Sequence, residues 1–463
     1  MSMSLLSLLD SPLSRMNVHN VIELVEQILL SRPLSPIERL VLSQSWLGRA
    51  YNEMAQGSGY ASDYLREIGA QLWNELSEAL GERVTKKNFS LILKHHGPYG
   101  LTVPTTPLFG EEVGSQTGQN KFVFPGSPLP SNSPLYVRRP SVEDLACTEL
   151  EEPGCLIRIR APRKMGKSSL LNQMMAHAVK QGYIAIYLDF QEADETSFTS
   201  LDAFLRWFCA NIARQLNLKP MLDEYWDEQI GSKVSCTVYF GQAILRQVDV
   251  PLVLALNEIN RIVEHPQIAR DFFPMLRYWR ELASQDSSWY SLRLVLVHTT
   301  EISVPLNLQQ SPFNVGLAIT LPAFTIAQVK ELASRYGIGW ESDREVQQLM
   351  QLVGGHPYLI NLAFYHIQRW QIPLEELIDR APSPSGIYRY HLQSYLALLS
   401  EQPDLAAAFK KVVDSSKPVR LDAIVAYKLE SLGLIQLEGN WAQPSCELYR
   451  CYFSEQLSEP DAG

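Results

Sequence analysis

Gly166, Lys167 and Ser168 stand in a row between an apolar run, Leu156-Ile157-Arg158-Ile159-Arg160, and a segment with Leu170, Leu171 and Met174 at helical spacing. Glycine lets the backbone turn. Lysine offers a charge to the outer phosphates of a nucleotide, and the serine hydroxyl offers a ligand to Mg2+. A helix beginning behind them aims its first amide groups at the anion. The chemistry implied is triphosphate binding. The whole loop reads Ala161-Pro162-Arg163-Lys164-Met165-Gly166-Lys167-Ser168, with Ser169 next. Its first position is Ala where such loops carry Gly, and Ala tolerates a tight entry less well. Pro162 stiffens the entry and partly compensates. A Lys-Ser helix cap after a strand is the competing reading. The strand–loop–helix order is what a phosphate loop requires, and it favours nucleotide binding.

Hydrolysis needs a second group of residues. In a nucleotide hydrolase an acidic residue ends another apolar strand and helps hold the Mg2+ shell, and a following Glu activates water. Leu252 to Leu256 is such a strand, and Asn257-Glu258-Ile259-Asn260-Arg261 follows it. Asn257 offers a neutral carbonyl oxygen in place of a carboxylate, so Mg2+ should be held less tightly. Glu258 is the candidate catalytic residue, placing the water. A buried strand closed by a polar turn is the alternative. The next strand ends at His298-Thr299-Thr300. Thr299 or Thr300 either senses the γ-phosphate or ties off backbone at a strand end.

A scaffold has to bring these groups together. LIRIR (156–160), YIAIYLDF (183–190), PLVLALNEI (251–259) and LRLVLVHTT (292–300) are short runs rich in β-branched residues, separated by helical patterns such as SLDAFLRWFCANIARQL. That alternation predicts a parallel sheet wrapped by helices. Helical patterns continue to about residue 380, with TIAQVKELASRYG opening at Thr325. After Tyr388 come further helices and then LESLGLIQLEGNWAQPSCELYRCYF, where a helix stops at Gly433 and two β-runs flank a Gly-Asn turn. This is a winged-helix ending.

Residues 17–95 read as all-helical. VIELVEQILL has helical periodicity, and Ser35-Pro36-Ile37-Glu38 is a capping box. A short helix at Tyr51–Gln56, a turn at 57–59 and a longer helix from Ser62 to Leu80 make a helix-turn-helix outline. The longer helix sets Asp63, Glu67, Glu75 and Glu78 around Arg66, a poor surface for reading DNA. An interaction module and a DNA-binding module both remain open. Residues 97–134 are dominated by Pro, Gly, Ser and Thr and read as a linker. The expected division is a helical module at 1–96, linker at 97–134, nucleotide-binding domain at 135–322, helical lid at 323–385 and winged helix at 386–463.

Composition narrows the partners. The 463 residues are 46% hydrophobic and 19% charged, which suits several globular domains. A net charge of −10 argues against a basic coat for nucleic acid. No apolar run is long enough to span a membrane. The N-terminus has no basic region and carries Asp10, so a signal peptide is not expected and a cytoplasmic location is. The six cysteines are scattered with no CxxC pair, which points to reduced thiols. His95-His96 has no partner at metal-binding spacing.

The chain resembles the AAA-like domain family of bacterial P-loop proteins, relatives of the STAND signalling ATPases. SPLYVRRPSVEDL, RAPRKMGKSSLLNQ, LDAFLRWFCANIARQL and WDEQIGSKVSCTVYF carry the likeness, with QSPFNVGLAITLPAFT and GGHPYLINLAFYH similar to its lid. RLDAIVAYKLESLGLIQLEGNWAQPSCELYRCYF is similar to its winged helix. The resemblance implies an α/β P-loop NTPase sheet with a helical lid and a C-terminal winged helix, binding ATP with Mg2+. It implies that Ser168 and Asn257 serve the metal. It also implies that Tyr136 and Arg138 line the base pocket, and that Pro357, in the Gly355-His356-Pro357 turn, links nucleotide state to the lid. A protein partner in a signalling pathway and a nucleotide-dependent homo-oligomer are implied too. The family pattern Asp-Glu-x-Asp is Asn257-Glu258-Ile259-Asn260 here, which leaves hydrolysis open.

Overall fold

The computed structural model describes residues 34–46, 49, 51–58, 60, 62–80, 84–86 and 89 with Val25, and then 124–299, 314–340, 342–383 and 385–457. The chain forms two compact units, Met1–Phe124 and Pro125–Gly463. Apart from Val25, the expected helix at 21–30 lies outside the described residues, as does the His95-His96 pair.

In the first unit, α1 (Pro36–Trp46), α2 (Tyr51–Ser58) and α3 (Ser62–Leu80) follow one another. The capping box is formed: Glu38 N–H donates to Ser35 Oγ at 3.3 Å, and Ser35 N–H donates to Glu38 Oε2 at 2.7 Å. Val41, Leu42, Met54, Leu65, Leu72 and Leu76 bury a common core. The contact between α2 and α3 is close. A Cβ on Gly69 would lie 2.2 Å from the Tyr51 hydroxyl, to which Trp73 Nε1 donates at 2.9 Å.

The second unit opens with α4 (Pro140–Glu151), β1 (Leu156–Ala161), α5 (Lys167–Lys180), β2 (Ile184–Asp189), α6 (Leu201–Gln215) and α7 (Ser232–Tyr239). It continues through β3 (Leu252–Asn257), α8 (Pro266–Leu282), β4 (Leu292–Thr299) and β5 (Leu317–Thr320). The five strands form one sheet in the order β2-β3-β4-β1-β5, and every pair is parallel. Alternation along the strands divides the core. Leu156, Leu254, Leu256, Leu294 and Leu296 face an aromatic layer of Phe204, Phe208, Phe240, Phe272 and Trp279. Ile157, Ile159, Val253, Ala255, Val295 and Val297 face α4 and α5, where the smaller branched residues let Leu170, Leu171 and Met174 of the phosphate-loop helix pack closely.

Residues 317–320, in the stretch that resembles the family's lid, form the fifth strand, paired with β1 from Ile157↔Leu317 to Arg160↔Thr320, on the nucleotide-binding side of the boundary expected at 322. Four residues that belong to an edge strand give too short an alternation to be told from a loop in sequence.

Five helices follow: α9 (Ile326–Arg335), α10 (Asp343–Val353), α11 (Pro357–Trp370), α12 (Leu374–Arg380) and α13 (Arg389–Ser400). Thr325 caps α9 in a capping box with Gln328. The chain ends with α14 (Pro403–Asp414), β6 (Val419–Arg420), α15 (Ala423–Leu432), β7 (Ile435–Glu438), β8 (Trp441–Pro444) and α16 (Glu447–Gln456). The last three strands make an antiparallel sheet in the order β6-β8-β7. Helices, a strand, a helix and a hairpin thus follow one another in this C-terminal part.

Candidate nucleotide site

The C-terminal ends of the parallel strands carry the chemistry, as they do in open α/β sheets generally. Ala161 of β1 pairs with Thr299 of β4, and Asp189 of β2 pairs with Asn257 of β3. The loop leaves β1 at this edge. Gly166 caps α5 at φ +96°, a left-handed conformation that side chains resist. Lys164, at φ +61°, makes a second left-handed turn within the loop. Lys167 is buried, and its ammonium donates to the carbonyls of Ala161 at 3.0 Å and Pro162 at 2.9 Å. The lysine therefore lies within the curl of the loop, at the start of a helix whose first amides are aimed the same way.

Ser168 and Asn257 meet. Ser168 Oγ is 3.5 Å from Asn257 Oδ1, across the end of β4. Asn257 is almost fully buried, and its Nδ2 donates to Asp189 Oδ2 at 2.7 Å. Glu258 has φ +54°, so the backbone turns sharply as it leaves β3. Asn260 Nδ2 donates to Glu258 Oε2 at 3.0 Å. Thr299 is buried at the end of β4, and its carbonyl is 2.7 Å from His298 Nδ1. Thr300 lies outside the described residues. Among the described residues no cluster of His, Cys, Asp or Glu has the form of a metal site. Ser168 and Asn257 instead present oxygen donors of the hard kind that Mg2+ prefers.

Other elements wall the loop. Arg139, buried at the start of α4, donates from Nη2 to the Met165 carbonyl at 3.0 Å and stacks over Phe324 at 4.6 Å. Lys164 lies over Tyr358 at 4.0 Å, directly after Pro357, which is buried as the first residue of α11. A Cβ on Gly433, beyond α15, would lie 2.9 Å from the Pro162 ring. Ser169 Oγ accepts from Leu129 N–H at 2.9 Å, and Asn172 and Gln173 donate to the Leu129 and Ser131 carbonyls at 2.9 and 3.1 Å. The end of the segment expected as linker is thus bonded to the phosphate-loop helix.

Tyr136 and Arg138 occupy different positions from one another. Tyr136 is buried and donates to Glu143 Oε1 at 3.0 Å. Burial, followed by the Glu143 charge, holds its phenol well above the ordinary range. Arg138 turns outward, paired with Glu143 and Asp144 at 2.9 Å each. Its neighbour Arg139 is the residue that reaches the loop. Sequence reasoning missed Arg139 because two adjacent arginines are indistinguishable until the cap of α4 fixes which one points inward. Glu143 is the second omission; it accepts from the Arg139 amide and from the Tyr136 and Arg138 side chains. Asp189 is the third, since nothing in the sequence says that two strand ends far apart in the chain are adjacent.

The family described as "AAA-like domain" matches residues 124–455. The chain belongs to the AAA-like domain family. Residues 16–96 match a second family, described as "vWA-MoxR associated protein N-terminal HTH". An uncharacterised WD repeat-containing protein of Synechocystis is 26% identical over 241 residues, which are 50% of this chain and 20% of that protein. The chain therefore spans about a fifth of the length of this curated relative. A Walker-type ATPase of Pyrococcus abyssi has a similar structure, with a TM-score of 0.51 at 11% identity, over 71% of this chain and 99% of that one. The ORC2 protein of Aeropyrum pernix, solved in ADPNP–ADP complexes, aligns over 73% of this chain and 95% of its own at 14% identity with a TM-score of 0.43. At 11% identity the likeness to the Walker-type ATPase bears on fold alone. No helix among the described residues is long and apolar enough to cross a membrane.

Proposed function

We propose that this AAA-like protein is an ATP-binding switch whose nucleotide site is the loop Ala161–Ser168, and that it acts on another protein in a STAND-like signalling role. One observation carries this reading. The loop is bounded by Arg139 at the start of α4, itself stacked on Phe324, by Tyr358 of the lid and by Gly433 of the winged helix, so its conformation is shared by three parts of the fold. A ligand that reshapes the loop has differential contacts with two arrangements of those parts, which is the physical requirement for a switch.

The residues divide the work. The loop amides and Lys167 bind and orient the outer phosphates. Ser168 and Asn257 would hold Mg2+, which would offset phosphate charge. Glu258 positions water in any hydrolysis, with its carboxylate held by Asn260. Thr299 reads the γ-phosphate from the end of β4. Residue 257 itself is neutral, and a binding-dominated switch fits that departure from the family pattern.

Binding of a fluorescent ATP analogue by the whole chain tests this reading. Lys167→Ala should lose at least tenfold in affinity with an unchanged circular dichroism spectrum. Equal binding by the variant would remove the assignment.

The nature of the output has its own indication. On the winged helix, Ile424 and Tyr427 of α15 and Trp441 of β8 are 68%, 50% and 46% exposed. Nucleic-acid readers present Lys and Arg on such a surface. The exposed apolar residues favour a protein partner, including a second copy of this chain, over DNA. A salt-sensitive shift of duplex DNA would favour the transcription-regulator alternative instead.

A further inference from the structure

The carboxylate that the second motif lacks at position 257 is present one strand away. Asp189 ends β2 in register with Asn257 at the end of β3. Neighbouring strands lie about 4.8 Å apart, and the two side chains bridge that gap with a 2.7 Å hydrogen bond. The Asp189 carboxylate is fixed in place: Oδ1 accepts from Gln191 N–H at 2.9 Å, and Oδ2 accepts from Tyr187 Oη at 3.0 Å as well as from Asn257.

This arrangement determines which way the Asn257 amide faces. An Asn side chain has a donor end and an acceptor end. With Nδ2 committed to Asp189, Oδ1 is turned toward Ser168 Oγ, 3.5 Å away. The reverse orientation would set the carbonyl oxygen against a carboxylate and the amide protons against the metal position. We propose that Asp189 is the positioning residue of the Mg2+ site: it orients Asn257 so that the carbonyl oxygen faces the metal, and it supplies the negative charge that residue 257 does not carry. This rests on the nucleotide-site reading given above.

The same geometry accounts for asparagine at 257. An Asp there would meet the Asp189 carboxylate across the same short gap, and two carboxylates in contact repel. The pair carries one negative charge, as a lone Asp at 257 would, displaced by one strand and delivered through an amide.

The test compares binding of N-methylanthraniloyl-ATP to the whole chain in EDTA and in Mg2+, read as the ratio of the two dissociation constants. Asp189→Asn should leave affinity in EDTA near native and reduce the Mg2+-dependent gain about tenfold. Asp189→Ser, which keeps an oxygen acceptor for Gln191 N–H but no charge, should do the same and serves if the first variant does not fold. The exchange Asp189→Asn with Asn257→Asp should restore the gain, because the amide and the carboxylate then trade places. A native-like ratio in folded Asp189→Asn and Asp189→Ser would overturn the proposal, and so would an exchange variant that stays as low as the single ones. Failure of the native chain to bind the analogue in either buffer would instead remove the underlying nucleotide assignment.

Discussion

The ammonium of Lys164 lies 4.0 Å from the centre of the Tyr358 ring, joining the phosphate loop to the first turn of the lid helix α11. Such a contact contributes about 0.5–1 kcal/mol at an accessible site. Tyr358→Leu keeps apolar bulk and removes the ring face. We expect a small loss in melting temperature together with weaker communication between loop and lid. The ATP-induced change in hydrogen exchange over residues 357–370 should shrink by half or more. An unchanged response would show that the lid follows the nucleotide by another route.

The two adjacent arginines should separate sharply. Arg139 is buried against the Met165 carbonyl and the Phe324 ring, and burial lowers its pKa from the ordinary guanidinium value. Arg139→Ala removes a buried charged hydrogen bond of about 2 kcal/mol and releases the loop, so both stability and ATP affinity should fall. Arg138→Ala removes an exposed ion pair to Asp144 and a half-exposed one to the buried Glu143 carboxylate, which keeps its bonds from Tyr136 and the Arg139 amide; it should cost about 1 kcal/mol of stability and leave ATP affinity near native. A large effect of Arg138 on ATP affinity would return it to the base pocket that the resemblance implied.

Gly69 tests the helical module. In an open helix Gly→Ala stabilises by about 1 kcal/mol. Here the added Cβ would meet the Tyr51 hydroxyl at 2.2 Å, and overpacking costs about 1–3 kcal/mol. Gly69→Ala should therefore destabilise α2 and α3, seen as faster proteolysis within residues 36–80. Slower proteolysis would contradict the close approach of the two helices.

Buried histidines set a pH dependence. Burial pushes His298 down to about 4, opposed by the Thr299 carbonyl and helped by the charges of Lys167, Arg158 and Arg160. Burial likewise pushes His356 down to about 4. An unfolded histidine titrates near 6.5. Between these values the unfolded chain binds more protons, so stability is full above about pH 6.5 and is lost as pH falls toward 4. Each group contributes up to roughly 3 kcal/mol over that window. The melting temperature should drop steadily from pH 7 to pH 5, and His298→Asn should flatten the slope. A flat native profile would mean that these side chains take up protons without unfolding.

Much of the architecture was legible because strands buried on both faces write themselves as continuous apolar runs. PLVLALNEI and LRLVLVHTT mark β3 and β4 to within a residue or two at each end. Gly433, at φ +78°, shows why a glycine read as a helix stop can be trusted when a left-handed cap follows the last apolar position. The site was legible only in its contiguous half. Gly166, Lys167 and Ser168 are neighbours in sequence, whereas Asp189, Asn257 and Thr299 become neighbours through the order β2-β3-β4-β1-β5. Asn257 looked like a defect for that reason: its carboxylate partner lies 68 residues earlier in the chain.

Pro162 packed against Gly433 has an evolutionary consequence. A boundary drawn at residue 386 looks like a place where shuffling could splice in a different C-terminal domain. The floor of the phosphate loop, however, is made partly by the end of α15. A replacement domain with any side chain at the position of Gly433 would press on the Pro162 ring and distort the loop before any ligand arrived. A C-terminal domain can therefore be exchanged only if it keeps a glycine at this point, whereas the exposed surface of Ile424, Tyr427 and Trp441 can be changed without touching the loop.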